Sequence, residues 1–284
     1  MQSSMKRPPN RPIQKAVLLI SDLPAWGRVA LASAAPLVES AGFQACCLPT
    51  ALLSTHGAYR DYVLEPQTTF LEKAWNHLKT LDLQFAAVAV GFVGDRAQFP
   101  LLQEITKAVK AGGGLVLVDP ILGDNGRRYG LFPEDYVPAF LSLIEGADVI
   151  TPNLTEAALL LGKDPSSTPT NDEEVAQWTR ELANLGPSQV VLTSAPFQER
   201  PQHTGVVWYD RTTGRGGKVS HPRLGQGIPG TGDALAARLV SFLLQNMTFP
   251  RAVHRAVSGT VKDLRRTLAS GRPPLWGPEG PLKP

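Results

Sequence analysis

The 284-residue chain carries 28 Lys and Arg against 25 Asp and Glu, a formal charge of +3, with 43% apolar and 19% charged residues. That balance excludes a disordered or fibrous chain, and three excess positive charges are too few to indicate a nucleic-acid partner. Lys6, Arg7, Arg11 and Lys15 precede only a short apolar run over 16–20, which Asp22 stops. An export signal needs about 7–15 apolar residues and a membrane span about 20, so neither is expected and the chain is read as cytoplasmic.

In chain order, a polar, Pro-rich segment over 1–13 reads as a tail. A single domain is expected over 14–270, and a second Pro-rich tail over 271–284. Within the domain, apolar β-rich runs recur at 16–20, 44–48, 85–90, 115–118, 149–151 and 189–193. Stretches with helical spacing lie between them at 29–40, 68–79, 101–110 and 173–185. This alternation predicts an α/β fold with a mostly parallel sheet covered by helices, and the runs are nearly all apolar, as strands buried on both faces require. Cys46 and Cys47 are adjacent in a strand and point to opposite faces, which predicts reduced, buried thiols rather than a disulfide or a metal site. After 193 the pattern changes to a hairpin, 205–209 and 216–220, around a Gly-containing turn at 210–214. A Gly-rich loop then leads into a helix over 234–244. A last helix, 251–268, carries Arg251, Arg255, Lys262, Arg265 and Arg266 on what reads as a solvated face.

The string Gly225-Gln226-Gly227-Ile228-Pro229-Gly230 is a literal Gly-x-Gly-x-x-Gly. A dinucleotide loop should open the first βαβ unit and precede an acidic residue by about 20 positions. This one lies near the C-terminus, with no Asp or Glu from Ala234 to Lys262, so a dinucleotide site is rejected. Gly230-Thr231-Gly232-Asp233 sits where loop becomes helix. Free amides at a helix N-terminus make an anion site. Asp233 there is either a helix cap or a base that accepts a hydroxyl proton while the amides hold a migrating phosphoryl group. Asp119-Pro120-Ile121-Leu122-Gly123-Asp124 follows a buried strand, at the carboxyl edge where open sheets bind ligands, although Asp124-Asn125-Gly126 also reads as a turn. In Thr151-Pro152-Asn153-Leu154-Thr155-Glu156, Asn153 and Glu156 have the spacing of a capping box. Oxygen ligands at Asp124, Asn153 and Glu156 would also suit a water-rich Mg²⁺ shell beside phosphates.

Taken together, these three strings resemble the ribokinase-like superfamily and, within it, the pyridoxal (vitamin B6) kinases. Ile20-Ser21, Pro49-Thr50-Ala51-Leu52-Leu53-Ser54-Thr55-His56 and the order of the motifs agree from about Lys15 to Leu268. Asp22-Leu23-Pro24-Ala25-Trp26-Gly27-Arg28 is similar to a bacterial, pyridoxamine kinase-like branch. The resemblance implies a three-layer α/β/α fold with the C-terminal-half hairpin over the nucleotide site. It implies ATP-dependent phosphorylation of the 5′-hydroxymethyl group of pyridoxal, pyridoxine or pyridoxamine, in a homodimer acting without nucleic acid or membrane. Asp233 would be the base and Gly230, Thr231 and Gly232 the anion hole. Asn153, Glu156, Thr193 and Ser194 would meet ATP. Asp119, Asp124 and Glu156 would serve the metals, Mg²⁺ and a monovalent cation such as K⁺, the latter near Asp119, Thr151 and Thr193. Ser21, Trp26, Thr50, His56, Tyr59 and Phe92 would close around the vitamer.

The sequence departs from the family at several of these positions. Phe92 stands where many relatives have Tyr, and His56-Gly57-Ala58-Tyr59 where they have His-Thr-Gly. Pro24 and Trp26 replace Ser and Phe. Two alternatives follow: a hydroxymethylpyrimidine kinase of the same superfamily, which shares the phosphoryl-transfer machinery, or a vitamer-binding protein that has lost catalysis.

Overall fold

Strands without polar alternation need helices on both faces, and the computed structural model, which describes residues 16–271 apart from Asp82, Gln198 and Gln226, supplies them. Tails expected at 1–13 and 271–284 lie outside the described residues, Gly271 excepted. The strands are β1 (Ala16–Trp26), β2 (Gln44–Thr55), β3 (Leu64–Pro66), β4 (Phe85–Val90), β5 (Leu115–Val118), β6 (Gly123–Asp124), β7 (Arg127–Arg128), β8 (Val149–Ile150), β9 (Gln189–Pro196), β10 (His203–Asp210) and β11 (Arg215–Pro222). Nine of them form one sheet in the order β11-β10-β9-β8-β5-β4-β1-β2-β3, while β6 and β7 make a separate two-stranded ribbon. Pairing is parallel from β2 through β1, β4, β5 and β8 to β9. It is antiparallel at both edges, where β3 joins β2 and the β10–β11 hairpin joins β9.

The period-2 alternation of side chains divides the core in two. Leu18 and Ile20 of β1, Val88 and Val90 of β4 and Val116 and Val118 of β5 pack into one buried cluster. That cluster includes residues of α2 (Thr68–Leu78), α3 (Phe99–Ala111), α4 (Tyr136–Ile144), α5 (Leu154–Leu160) and α6 (Asp172–Ala183). Val17, Leu19, Ala87 and Leu117 face the other cluster, with α1 (Ala30–Ser40), α7 (Thr231–Leu244) and α8 (Phe249–Ser270). This is the expected three-layer α/β/α arrangement.

Three local expectations change. β1 and β2 continue to Trp26 and Thr55, well past 20 and 48, because they keep pairing with each other beyond the end of β4. The thiols are not buried: Cys46 is half-buried and Cys47 exposed, since β3 pairs with β2 only at Ala51–Leu53 and leaves that stretch of the strand uncovered. On α8, Arg251, Arg255, Lys262 and Arg265 are exposed as expected. Arg266 is half-buried, reaching the buried Asp263 at 3.6 Å, and Asp263 also pairs with Arg238 of α7.

Candidate active site

One register builds the floor of the site. Ile20, Val90, Val118 and Ile150 are aligned across β1, β4, β5 and β8. Backbone bonds then carry the ladder one step beyond the strands: Gly91 N–H donates to Ile20 O at 2.8 Å, Asp119 N–H to Val90 O at 2.8 Å and Thr151 N–H to Val118 O at 3.2 Å. Thr193 N–H of β9 donates to Pro152 O at 2.8 Å. Polar residues that directly follow apolar strands are thereby delivered to a common carboxyl edge, where open α/β sheets bind ligands.

Above this edge lies a cleft of about 880 Å³. Its far wall is the loop into α7. Gly230 holds φ at +86°, in the left-handed region that favours glycine, and the first intrahelical bond is Ala234 N–H to Gly230 O at 3.0 Å. The amides of Thr231, Gly232 and Asp233 therefore have no partner within the helix, and the helix dipole adds positive potential. The Thr231 hydroxyl closes the loop on Ile228 O at 2.7 Å. Asp233 does not cap its own helix: its Oδ2 accepts the Ala30 N–H at the start of α1, at 2.8 Å. The N-cap position of α1, Val29, offers no side-chain cap, so Asp233 serves that helix from across the cleft. Ala30 accommodates this with φ of +48°.

Near the sheet edge the Asn153 and Glu156 pair closes a capping box. Asn153 Oδ1 accepts Glu156 N–H at 3.0 Å, and Glu156 Oε2 accepts Asn153 N–H at 2.8 Å. The Glu156 carboxylate also accepts Leu122 N–H at 3.3 Å, and Asn153 Nδ2–H donates to Gly123 O at 2.9 Å, which ties α5 to the β6–β7 ribbon. Thr151 Oγ1–H donates to Asp119 Oδ1 at 2.8 Å. Asp124 is exposed at the ribbon turn, where its carboxylate accepts from the amide and side chain of Asn125. The ribbon turn read at 124–126 is present, and Asp124 nonetheless lines the cleft.

Five carboxylates, Asp22, Asp119, Asp124, Glu156 and Asp233, line this cleft, against one Arg and no Lys. Burial, and then the charge of Asp233, push Asp22 up to about 7. The same two causes raise Asp119 to about 7 against the opposing Thr151 bond. Glu156 is raised by burial and by Asp119. Burial raises Asp233 too, and the Ala30 N–H opposes it. Such a concentration of acids, of which Asp22 and Glu156 are buried and Asp119 and Asp233 half-buried, is suited to ligands that bring cations. The donors are hard oxygens, but Glu156 is committed to two backbone amides, and the described residues contain no group of three His, Cys, Asp or Glu that could cage a metal. The set fits a Mg²⁺ held mainly by water and phosphate oxygens, with carboxylates at its outer shell.

Most residues named from the sequence line this cleft: Asp119, Asp124, Thr151, Asn153, Glu156, Thr193, Ser194, the 230–233 loop, His56 and Phe92. β10 and β11 contribute Thr204 to Val206 and His221, so the hairpin forms one wall. Ser21, Trp26, Thr50 and Tyr59 do not line it. Ser21 Oγ accepts Phe92 N–H at 3.1 Å and Thr50 Oγ1–H donates to Phe92 O at 2.7 Å, so both pin the backbone of Phe92. Trp26 is 62% exposed and donates its Nε1–H to Tyr59 OH at 3.2 Å. Asp22, Ala30 and Tyr129, for which no site role follows from the sequence, also line the cleft. Asp22 was visible within the Asp22–Arg28 string, whereas the Ala30 contact, between residues 203 positions apart, has no local signal.

Residues 37–275 match the family model described as phosphomethylpyrimidine kinase. A putative phosphomethylpyrimidine kinase from Bacteroides thetaiotaomicron, solved with pyridoxal, is 37% identical, with a TM-score of 0.85 over 89% of this chain and 88% of that one. The pyridoxal kinase of Lactobacillus plantarum is 32% identical, with a TM-score of 0.79 over 91% and 90%. A curated pyridoxal kinase from Leifsonia xyli is 27% identical over 90% of each chain.

Proposed function

Because the chain belongs to the phosphomethylpyrimidine kinase family, we propose that it transfers the γ-phosphoryl group of ATP to the 5′-hydroxymethyl group of pyridoxal, pyridoxine or pyridoxamine. The observation that carries this reading is the pairing, at one helix N-terminus, of unpartnered amides with a half-buried carboxylate whose second oxygen, Oδ1, has no hydrogen-bond partner among the described residues. The amides of Gly230, Thr231 and Gly232 hold the migrating phosphoryl group, and Asp233 Oδ1 accepts the proton leaving the substrate hydroxyl. A loose phosphoryl-transfer transition state asks more of alignment and charge neutralisation than of base strength, so a carboxylate suffices. Asn153 and Glu156 orient the phosphate side through their mutual capping bonds, with Thr193 and Ser194 beside them. His56 and Phe92 close on the ring of the vitamer.

Mg²⁺, associated with Asp124 and Glu156 through water, would neutralise the ATP phosphates, and a monovalent cation such as K⁺ would sit by Asp119, Thr151 and Thr193. The proposed assembly is a homodimer. The exposed apolar side chains Leu23, Trp26, Leu52 and Val63, on or beside the extended ends of β1 and β2, offer a surface a second copy would cover. No helix of the described residues is long and apolar enough to cross a membrane, and the cytoplasm is the proposed location.

The family description favours a second reading, phosphorylation of hydroxymethylpyrimidine by the same machinery. Pyridoxal in the Bacteroides relative favours the vitamin B6 reading. ADP release with ATP, Mg²⁺ and K⁺ distinguishes them. Turnover is expected with B6 vitamers and is expected to fall by about 10²–10⁴-fold in Asp233→Ala, with ATP binding retained. Turnover with the pyrimidine alone would move the chain to the second reading. Vitamer binding without turnover would make it a binding protein.

A further inference from the structure

We infer that Asp22 selects among substrates by meeting the substituent on the ring carbon next to the reacting hydroxymethyl group, and that it favours an amine there. This rests on the reading of Asp233 as the base for a B6 vitamer.

Asp22 is 6% exposed yet lines the cleft, and it stands close enough to Asp233 for the charge of that residue to act on it. Its only side-chain partner among the described residues is the Ser21 hydroxyl, which donates to Oδ1 at 3.3 Å, and its own backbone amide is the other group that favours its charged form. The backbone presents it deliberately. Ser21 pairs with Pro49 and Leu23 with Leu52, so Thr50 and Ala51 together oppose Asp22 in a bulge, a device that re-aims a side chain. No described cation neutralises it. The single Arg of the cleft, Arg223, follows β11 beside His221 on the hairpin wall. His56, in the ring-side wall, has its imidazole held toward the neutral form by burial.

The geometry of the substrate does the rest. The three vitamers are identical except at the carbon adjacent to the one bearing the 5′-hydroxymethyl group, where they carry an aldehyde, a hydroxymethyl or an aminomethyl group. The carbon bearing the 5′-hydroxymethyl group has two ring neighbours, and on this inference Asp22, beside the base, meets the substituted one, the position at which the vitamers differ. An ammonium there gains a charge-assisted hydrogen bond in a buried setting, whereas a hydroxyl gains an ordinary one.

The test compares pyridoxamine with pyridoxine, which differ by an ammonium for a hydroxyl, in wild type and in the near-isosteric Asp22→Asn. Both kcat/KM and calorimetric binding of each vitamer are measured. The expected result is a loss of roughly ten- to a hundredfold in kcat/KM and affinity for pyridoxamine, with pyridoxine changed by less than about threefold. Asp22→Glu, which keeps the charge, should retain the preference for the amine in part. An equal loss with both vitamers, or none with either, overturns the inference while leaving the kinase reading intact. Failure of the wild type to bind or turn over any vitamer overturns both.

Discussion

Replacing Asp22 with Asn should stabilise the ligand-free protein, and the gain should grow with pH. In the unfolded chain this carboxyl ionises near its ordinary value of 3.8; in the fold, burial and Asp233 carry it to about 7. Because the folded value is the higher one, the folded state binds the proton more tightly, and the ionised side chain opposes folding. The penalty starts as pH passes the unfolded value, grows until pH reaches the folded value and is level beyond it. At about 1.4 kcal/mol per pH unit it reaches roughly 4 kcal/mol above neutrality and about 2 kcal/mol near pH 5.5. The amide of Asn keeps an acceptor for Ser21 and carries no charge, so the variant escapes this cost. For a chain of this size the excess in melting temperature over wild type should widen by about 4–8 °C between mildly acidic and mildly alkaline buffer. Calorimetric melting without Mg²⁺ or nucleotide measures it. A gap that stays constant with pH, or an Asn variant less stable than wild type in alkaline buffer, would refute the assignment of a buried, uncompensated carboxylate.

Two further substitutions probe the frame around the site. Arg238→Leu strands the buried Asp263, whose remaining partner Arg266 stands at 3.6 Å. A cost of about 3 kcal/mol and a melting temperature lower by roughly 5–10 °C are expected, with an unchanged melting curve as the contrary result. Asn153→Ala removes the cap of α5 and frees Gly123 O, so a loss of about 1–2 kcal/mol is expected by denaturant titration. It should also weaken nucleotide binding, because the Glu156 amide loses its acceptor and α5 loses its tie to the β6–β7 ribbon.

What the sequence made legible follows the range of the forces involved. β4 and β5 occupy the predicted bounds, 85–90 and 115–118, because their burial between two helical layers is written as uninterrupted apolar residues. β1 and β2 outran their predicted ends because Ser21, Asp22, Pro24, Pro49 and Thr50 break the apolar run, while pairing between the two strands, a long-range effect, sustains them. Residues 136–144 carry no legible helical signal: Pro138 and an almost wholly apolar string hide the period that α4 adopts. At the site, Asn153 with Glu156 and the 230–233 loop were readable because capping and helix entry are local. The partners of Asp233 and the environment of Asp22 were not, since Ala30 and the bulge at Thr50 and Ala51 come together only through the sheet.

The bond from Ala30 N–H to Asp233 Oδ2 makes the first amide of α1 a reporter on that carboxylate. An amide proton donated at 2.8 Å to an ionised carboxylate resonates far downfield, and it moves back when that carboxylate becomes neutral. Ala30 touches Oδ2 and leaves Oδ1 open, so a ligand can reach Oδ1 without displacing the amide. In a selectively labelled sample its resonance would titrate with Asp233 and, if that residue is the proposed base, change again on substrate binding. The fold thus carries an internal proton gauge for Asp233, readable by magnetic resonance without altering any residue of the site.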